Sequence, residues 1–168
     1  WRPKNYKEGQ FYGPIPMRIG LEKSINLITI RIAQSIGMER IAEIARKFGV
    51  YDDMPPYLSY SLGAGETTVL KMTNAYATLA NNGRKHQASL IDYVQDRRGK
   101  VIWKADKRRC DDCNMAKWDG QPMPRLEPRG TIAIDPGTAF QTVHMLTGVV
   151  IRGTATNLRD LDIPLFGK

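Results

Sequence analysis

Residues 21–34 have the sequence LEKSINLITIRIAQ, in which two polar residues stand where an apolar helical pattern begins. The apolar side chains recur every three residues, which predicts one face of a helix that ends near Gly37. They are Leu27, Ile30 and Ala33. A shorter helix is expected over residues 17–23, with a break at Ser24. Ser24 and Asn26 therefore fall at a helix junction, where capping of the first backbone N–H groups is the most common use of such residues.

Three further helices are predicted from the same periodicity. The first ends at Gly49, the second begins at Val69 with Thr67 as its N-cap, and the third begins after Asp135 and stops at Gly153. The sequence NNG after the second helix closes it. The positions assigned to the buried faces are Ile41, Ile44, Ala45 and Phe48, then Met72, Thr73, Tyr76, Ala77 and Ala80, then Ala139, Val143, Leu146 and Val150.

The remaining stretches lack helical periodicity. Residues 88–105 alternate and are rich in β-branched and aromatic residues, with DRRG at 96–99 as a turn, so they predict a β-hairpin. Residues 107–129 are polar and are predicted to form a long surface loop or insertion. The first sixteen residues and the tail over 154–168 are expected to be extended.

Composition narrows the class of protein. The chain has 168 residues, of which 42% are hydrophobic, and no apolar run approaches the ~20 residues that a membrane span needs. Its net charge of +8 favours an anionic partner such as a nucleic acid, an acidic polymer or a lipid surface. Because the chain begins with Trp1 and shows no secretory leader, we expect it to be a segment whose start and targeting signals lie elsewhere.

A nucleic-acid interface is disfavoured by the residues that come after the most suggestive helix. Residues 38–50, MERIAEIARKFGV, resemble the first helix and turn of a helix-turn-helix. The next residues, YDDMPPY, place two acidic groups and two prolines where a recognition helix would begin. Residues 61–66, SLGAGE, lack the Gly-Lys-Ser/Thr sequence of a phosphate loop, so they are interpreted as a turn of small residues.

The two cysteines form the sequence CDDC at residues 110–113. This spacing suits a disulfide, half of a zinc site or a redox pair. No second pair of metal ligands accompanies it, because His86 and His144 are distant in sequence, and no thioredoxin-like βαβ pattern surrounds it. We therefore expect a loop with either free thiols or a small disulfide.

Ser24 and Asn26 form a Ser-x-Asn sequence, which by itself is a weak indication of function. It becomes specific beside a nucleophilic serine that precedes a lysine by one helical turn, and beside a Lys-Ser/Thr-Gly strand. The chain also contains, in this order, the segments WRPKNY, RIGLEKSINLITIRIAQSIG, ARKFGV, LSYSLGAGETTVLKMTNAYATLANNG and MLTGVVIRGTA. Together these five segments resemble the transpeptidase domain of class A penicillin-binding proteins, the bifunctional enzymes of bacterial cell-wall synthesis.

This resemblance implies an α+β fold of the penicillin-binding transpeptidase and serine β-lactamase type, in which helices flank an antiparallel sheet. Residues 1–168 would form a partial transpeptidase domain that supplies much of the helical lobe and the 88–105 hairpin, with a loop insertion at 107–129. The part that bears the nucleophile, together with the C-terminal strand and helix, would lie outside the segment.

The resemblance also assigns the site residues. Ser24 and Asn26 would be the Ser-x-Asn motif, and the terminal Gly167 and Lys168 would begin the Lys-Thr-Gly strand. Ser24 would relay a proton between the general-base lysine and the amine, and Asn26 would hydrogen-bond the amide of the donor peptide. Lys168 would place positive charge near the substrate carboxylate and tune the serine hydroxyls. No metal and no organic cofactor is implied.

One part of the family pattern is missing. The chain contains no Ser-x-x-Lys, and the nearest imitation, TVLK at residues 68–71, falls inside a predicted helix. The nucleophile is therefore expected before Trp1, and the segment alone is expected to be inactive. An alternative is a non-catalytic transpeptidase-like module that binds cell-wall polymer or protein partners, and the presence of Ser-x-x-Lys in the longer protein would discriminate the two.

The remaining expectations also rest on the resemblance. The partners would be peptidoglycan stem peptides and β-lactams, without nucleic acid. The parent protein would be anchored in the bacterial inner membrane outside this segment, facing the periplasm, with a glycosyltransferase domain upstream. Homo-oligomerisation, or pairing with the missing parts of the same protein, would cover surface that the segment exposes. An oxidising compartment would permit a disulfide between Cys110 and Cys113.

Overall fold

Five α-helices and four short β-strands make up most of the regular structure in the computed structural model, which describes residues 1–168 except 111, 112, 114 and 115. The helices are α1 (Met17–Glu22), α2 (Asn26–Ile36), α3 (Met38–Phe48), α4 (Val69–Ala80) and α5 (Pro136–Arg152). The strands are β1 (Arg84–Lys85), β2 (Tyr93–Gln95), β3 (Val101–Lys104) and β4 (Thr131–Ile132). Two 3-10 helices span Leu58–Leu62 and Thr156–Leu161.

The chain divides into two compact units. The main unit comprises residues 1–85 and 131–168, and the hairpin unit comprises residues 86–130. The described part of residues 107–129 contains neither helix nor strand. That these residues are an insertion into one partial domain stays a prediction.

Helix α5 begins and ends where the sequence predicts. Asp135 is its N-cap, because one carboxylate oxygen accepts a hydrogen bond from the backbone N–H of Thr138 at 3.0 Å. Gly153 follows its last turn. The side chain of Asp135 sets the start of the helix locally. Gly153 is required by tertiary packing, because a Cβ there would overlap the carbonyl oxygen of Glu22.

The N-cap of α4 is Thr68, so the prediction of Thr67 was wrong by one residue. The side chain of Thr68 accepts from the N–H of Lys71 at 3.2 Å. The hydroxyl of Thr67 instead donates to the carbonyl oxygen of Val50 at 2.6 Å. Two adjacent threonines offer the same capping chemistry, and the tertiary contact with Val50 decides which of them caps the helix.

The predicted apolar face is partly confirmed for α3 and is rotated in α4. In α3, Phe48 is buried as predicted and Ile41 and Ala45 pack against the core, but Ile44 is 44% exposed. In α4 the side chain of Met72 is 39% exposed, and the buried residues are Ala75 and Thr78. The main core cluster explains why Ile44 is left outside, because α3 packs against α2 through Met38 and Ala42. Its buried members are Ala33, Met38, Ala42 and Met54.

Strands β1 and β4 form an antiparallel pair within the main unit, with Arg84 opposite Ile132 and Lys85 opposite Thr131. The backbone N–H of Ala133 continues this pairing by donating to the carbonyl oxygen of Gly83 at 2.8 Å. The pair closes the main unit, since it joins the end of the α4 segment to the start of the α5 segment.

The predicted β-hairpin is confirmed. Strands β2 and β3 pair antiparallel, and the N–H of Asp96 donates to the carbonyl oxygen of Lys100 at 2.8 Å across the turn. One carboxylate oxygen of Asp96 also accepts from the N–H groups of Arg98 and Lys100. Cys110 and Cys113 of the same unit form a disulfide, one of the two states expected for the CDDC sequence.

The extended conformation predicted for residues 154–168 was wrong over its first half. A 3-10 helix spans Thr156–Leu161, and it ends at Asp162, whose φ of 49° is left-handed. The polar sequence TNLRDL shows no helical hydrophobic period because no residue of this short helix is buried. Residues after Asp162 have no regular structure and lead to Lys168.

Candidate active site

Ser24 lies in the tight turn that separates α1 from α2. Its backbone is left-handed, with φ of 55°, a conformation uncommon for residues other than glycine. The N–H of Ser24 donates to the carbonyl oxygen of Leu21 at 3.1 Å, and that of Ile25 to Gly20 at 2.9 Å. This pair of bonds is a Schellman motif that ends α1, with serine in the position that glycine usually occupies.

The capping expectation for Ser24 and Asn26 was therefore wrong. The N-cap position of α2 is Ile25, which makes no side-chain cap bond, and Asn26 is the first residue of the helix. Ser24 instead ends the preceding helix, and its side chain is exposed. Holding a non-glycine residue in this backbone region costs about 1 kcal/mol, so the turn keeps serine at some expense in stability.

Lys168 brings its ammonium group to this turn from the far end of the chain. Its Nζ donates to the Oγ of Ser24 at 3.0 Å and to the carbonyl oxygen of Leu21 at 2.8 Å. The two side chains are 144 residues apart in sequence. The fold thus brings together two of the three residues that the motifs single out.

Partial burial of the Lys168 ammonium group lowers its pKa below the ordinary lysine value. A lowered pKa makes the neutral amine more accessible near physiological pH, and a neutral amine can accept a proton. The group that touches the hydroxyl of Ser24 is therefore suited to exchanging protons with it.

We expect Lys168 to titrate at a lower pH in the folded protein than in the urea-unfolded protein. The measurement is the pH dependence of its Cε chemical shift in NMR spectra with labelled lysine, assigned by loss of the signal in Lys168→Arg. Between the two pKa values the unfolded state binds the extra proton, so this group makes the free energy of unfolding rise with pH there. A folded midpoint at or above the unfolded one would contradict the partial burial.

Asn26 is held by the N-terminal segment of the chain. Its Nδ2 donates to the carbonyl oxygen of Lys4 at 3.0 Å. The neighbouring N–H of Leu27 donates to the Oδ1 of Asn5 at 3.1 Å. Asn26 is half-buried and lies two residues beyond Ser24, but its side-chain amide bonds to residue 4 and not to Ser24 or Lys168.

An ion pair between a buried carboxylate and a half-exposed guanidinium lies immediately behind the Ser24 turn. Glu22 is 1% exposed, and its two carboxylate oxygens accept from the Nε and Nη2 of Arg152 at 2.8 and 2.6 Å. The N–H of Thr154 also donates to the carbonyl oxygen of Glu22 at 3.2 Å. The pair joins the last residues of α1 and α5, so it fixes the base of the turn that carries Ser24.

The sequence interpretation did not single out Glu22 or Arg152. Nothing in their own neighbourhood marks them, since both are ordinary charged residues near helix ends and they lie 130 residues apart. The short spacing of glycines around Arg152 was the one available indication, because Gly148 and Gly153 both leave room for Glu22.

Neither a metal site nor a membrane span is found in the described residues. No three histidine, cysteine, aspartate or glutamate side chains among them are grouped so that they would hold a metal ion. None of the helices described combines the length and the apolar character that crossing a membrane requires.

A family model described as the penicillin-binding protein transpeptidase domain matches residues 1–168. Penicillin-binding protein 1A of Rickettsia bellii (strain RML369-C) is 42% identical to this chain over 170 residues, an alignment that covers 100% of this chain and 21% of that protein. Penicillin-binding protein 1A of Rickettsia prowazekii (strain Madrid E) is 40% identical, with 100% and 22% covered. The chain thus spans about a fifth of the length of these curated relatives.

Two solved structures share the fold. The 2.6 Å crystal structure of penicillin-binding protein 1A from Haemophilus influenzae superposes with a TM-score of 0.78 at 28% identity, covering 95% of this chain and 26% of that one. The D,D-transpeptidase domain of a peptidoglycan glycosyltransferase from Eggerthella lenta gives a TM-score of 0.72 at 20% identity, covering 95% and 42%. The expected α+β fold, with helices and small antiparallel sheets, is confirmed.

Proposed function

Because the chain belongs to the penicillin-binding protein transpeptidase family, we propose that it is part of a serine D,D-transpeptidase that cross-links peptidoglycan. The observation that carries this proposal is the contact of 3.0 Å between Lys168 Nζ and Ser24 Oγ. These two residues match the family's Ser-x-Asn motif and the first residue of its Lys-Thr-Gly motif. A chance resemblance of short motifs would give no reason for their side chains to meet across 144 residues.

The reaction proceeds through an acyl-enzyme. A nucleophilic serine attacks the carbonyl carbon of the penultimate D-alanine in a stem peptide, and the terminal D-alanine leaves as its amine takes up a proton. An amine of a neighbouring strand then attacks the ester and loses a proton as the new amide forms. Each half-reaction therefore moves one proton between a nitrogen and the enzyme.

Ser24 carries that proton in the proposed mechanism. Its exposed hydroxyl can donate to the leaving amine and accept from the general base in one relay, and Lys168 lies within hydrogen-bond distance to hold the hydroxyl in place. The ammonium form of Lys168 also supplies positive charge for the substrate carboxylate. Asn26 binds the amide of the donor peptide.

The nucleophile of this mechanism comes from a longer polypeptide that contains the chain. The sequence TVLK at residues 68–71 comes nearest to Ser-x-x-Lys, but its residues make structural contacts. Thr68 caps α4, and the Nζ of Lys71 lies 2.7 Å from Asp52 Oδ2. Relatives about five times longer than this chain have room for the missing part. The chain by itself is accordingly proposed to be inactive.

The test is covalent labelling by a fluorescent penicillin, whose strained amide acylates the same serine. The complete polypeptide encoded by the gene is compared with residues 1–168 alone, by gel and by intact mass. We expect one penicilloyl adduct on the complete polypeptide and none on the chain. If the complete polypeptide is folded but never gains an adduct, the proposed transpeptidase activity is wrong. The alternative, a non-catalytic module that binds cell-wall polymer, is then favoured.

Location and further partners are part of the same proposal. Stem peptides and β-lactams are the ligands, and the periplasmic face of the bacterial inner membrane is the site of action, with the anchor and a glycosyltransferase domain in the rest of the polypeptide. The disulfide between Cys110 and Cys113 agrees with this location, because such bonds persist in oxidising compartments.

A further inference from the structure

The sequence WRPKNY at residues 1–6 has no task in the proposed mechanism, although it is one of the segments that carry the family resemblance. In the structure it contacts the first turn of α2. That helix has no side-chain cap of its own, because its N-cap residue is Ile25. Its first N–H groups would be left without partners unless another segment supplied an acceptor.

Asn5 supplies that acceptor from 22 residues away. Its Oδ1 accepts the N–H of Leu27 at 3.1 Å, the bond that an N-cap residue normally makes with the second or third residue of a helix. Its Nδ2 donates to the carbonyl oxygen of Gln10 at 3.0 Å, which holds the Asn5 amide in one orientation. Asn5 is therefore an N-cap provided from outside the helix.

The same segment makes a second hydrogen bond, with the side chain of Asn26. The Nδ2 of Asn26 donates to the carbonyl oxygen of Lys4 at 3.0 Å, beside the bond from Leu27 to Asn5. Two adjacent residues of the N-terminal segment thus bond to two adjacent residues of α2. A rotation of the Asn26 side chain would break one of these bonds, and a shift of the first turn of α2 would break the other.

We propose that Asn5 is a positioning residue that fixes Asn26 for binding the amide of the donor peptide. The carbonyl oxygen of Lys4 accepts one hydrogen of Asn26 Nδ2. The second Nδ2 hydrogen can be donated to the carbonyl oxygen of a peptide amide. This inference rests on the proposed function, because it presupposes that Asn26 binds that amide.

The chemistry of the Asn5 site provides a conservative variant. Asn5→Asp keeps an oxygen that accepts from Leu27, and a negative charge at the start of α2 is favourable. It loses the bond to Gln10. Asn5→Ala loses both bonds and frees the first turn of α2, together with Asn26.

The test measures the second-order rate constant for acylation of the complete polypeptide by a fluorescent penicillin, which carries an acylamino group for Asn26 to bind. We expect Asn5→Ala to lower it about 10- to 100-fold, since misplacing a binding group by about 1 Å has effects of this size. Asn5→Asp should stay within about threefold of the unmodified protein. Thr68→Ala is the matched control, because it removes the N-cap of α4 away from the motif and should change the rate less than about twofold.

A double-mutant cycle separates positioning from general loss of structure. Once Asn26→Ala has removed the group to be positioned, adding Asn5→Ala should lower the rate by less than about twofold. If the two effects multiply in full, if Asn5→Ala acylates normally, or if Thr68→Ala loses as much as Asn5→Ala, the positioning role is overturned. If the unmodified polypeptide forms no adduct, the proposed function is wrong, and the positioning role that depends on it is wrong as well.

Discussion

Replacing Gly148 by alanine is expected to lower the free energy of unfolding by about 3 kcal/mol, although alanine is the better helix former. Gly148 is a buried residue of α5, and a Cβ at this position would overlap the carboxylate of Glu22 and stand 3.0 Å from Arg152 Nη2. The carboxylate would have to move, and the ion pair behind the Ser24 turn would break. A buried charge without its partner costs about 3–5 kcal/mol, and the half-exposed guanidinium places this pair at the low end.

Urea-induced unfolding followed by circular dichroism measures this effect, and a second background tests its cause. With Glu22→Ala already present, the obstacle is gone, and Gly148→Ala should then raise the free energy of unfolding by up to about 1 kcal/mol through helix propensity. The sign of the same substitution thus reverses between the two backgrounds. If Gly148→Ala stabilises the otherwise unmodified protein, the close contact between Gly148 and Glu22 is wrong.

The second large effect is expected from Ser24→Ala in the complete polypeptide. Acylation by a fluorescent penicillin should slow by about 10²-fold, the lower end of what a positioned proton-transfer group contributes. The reason is that the hydroxyl is the group proposed to relay the proton, and it is also the group to which Lys168 Nζ donates a hydrogen bond. Rates are read from the growth of the labelled band with time at several penicillin concentrations.

Ser24→Gly is the matched control, because the backbone of Ser24 is left-handed. Both variants lack the hydroxyl and should acylate equally slowly. Glycine accepts this conformation at no steric cost, so Ser24→Gly should stabilise the turn by roughly 1 kcal/mol, whereas alanine retains the strain. If acylation by Ser24→Gly matches that of the unmodified protein, the hydroxyl carries no proton and its assigned role is lost.

Helix ends with their own capping residues were predictable from the sequence, because such a cap is a contact between residues close in the chain. Asp135 caps the start of α5 as expected, and Gly49 ends α3 with a left-handed φ of 74°. The capping of α2 was not predictable, since its acceptor is Asn5. The buried faces of α3 and α4 were only partly predictable, because the element that packs against a helix decides which side of its apolar stripe is covered.

The features of the candidate site likewise fall into those that the sequence predicted and those that only the tertiary structure decided. Sequence alone was enough to locate the turn between two helices, because helix breaks depend on neighbouring residues. The resemblance of five ordered segments to a family then singled out Ser24, Asn26 and Lys168 as candidates. The contact of Lys168 with Ser24 and the pairing of Glu22 with Arg152 join residues 144 and 130 positions apart, and no local pattern encodes them. They exist because packing brings α1, α5 and the tail together, where a buried carboxylate requires a cation and a partly buried amine requires acceptors.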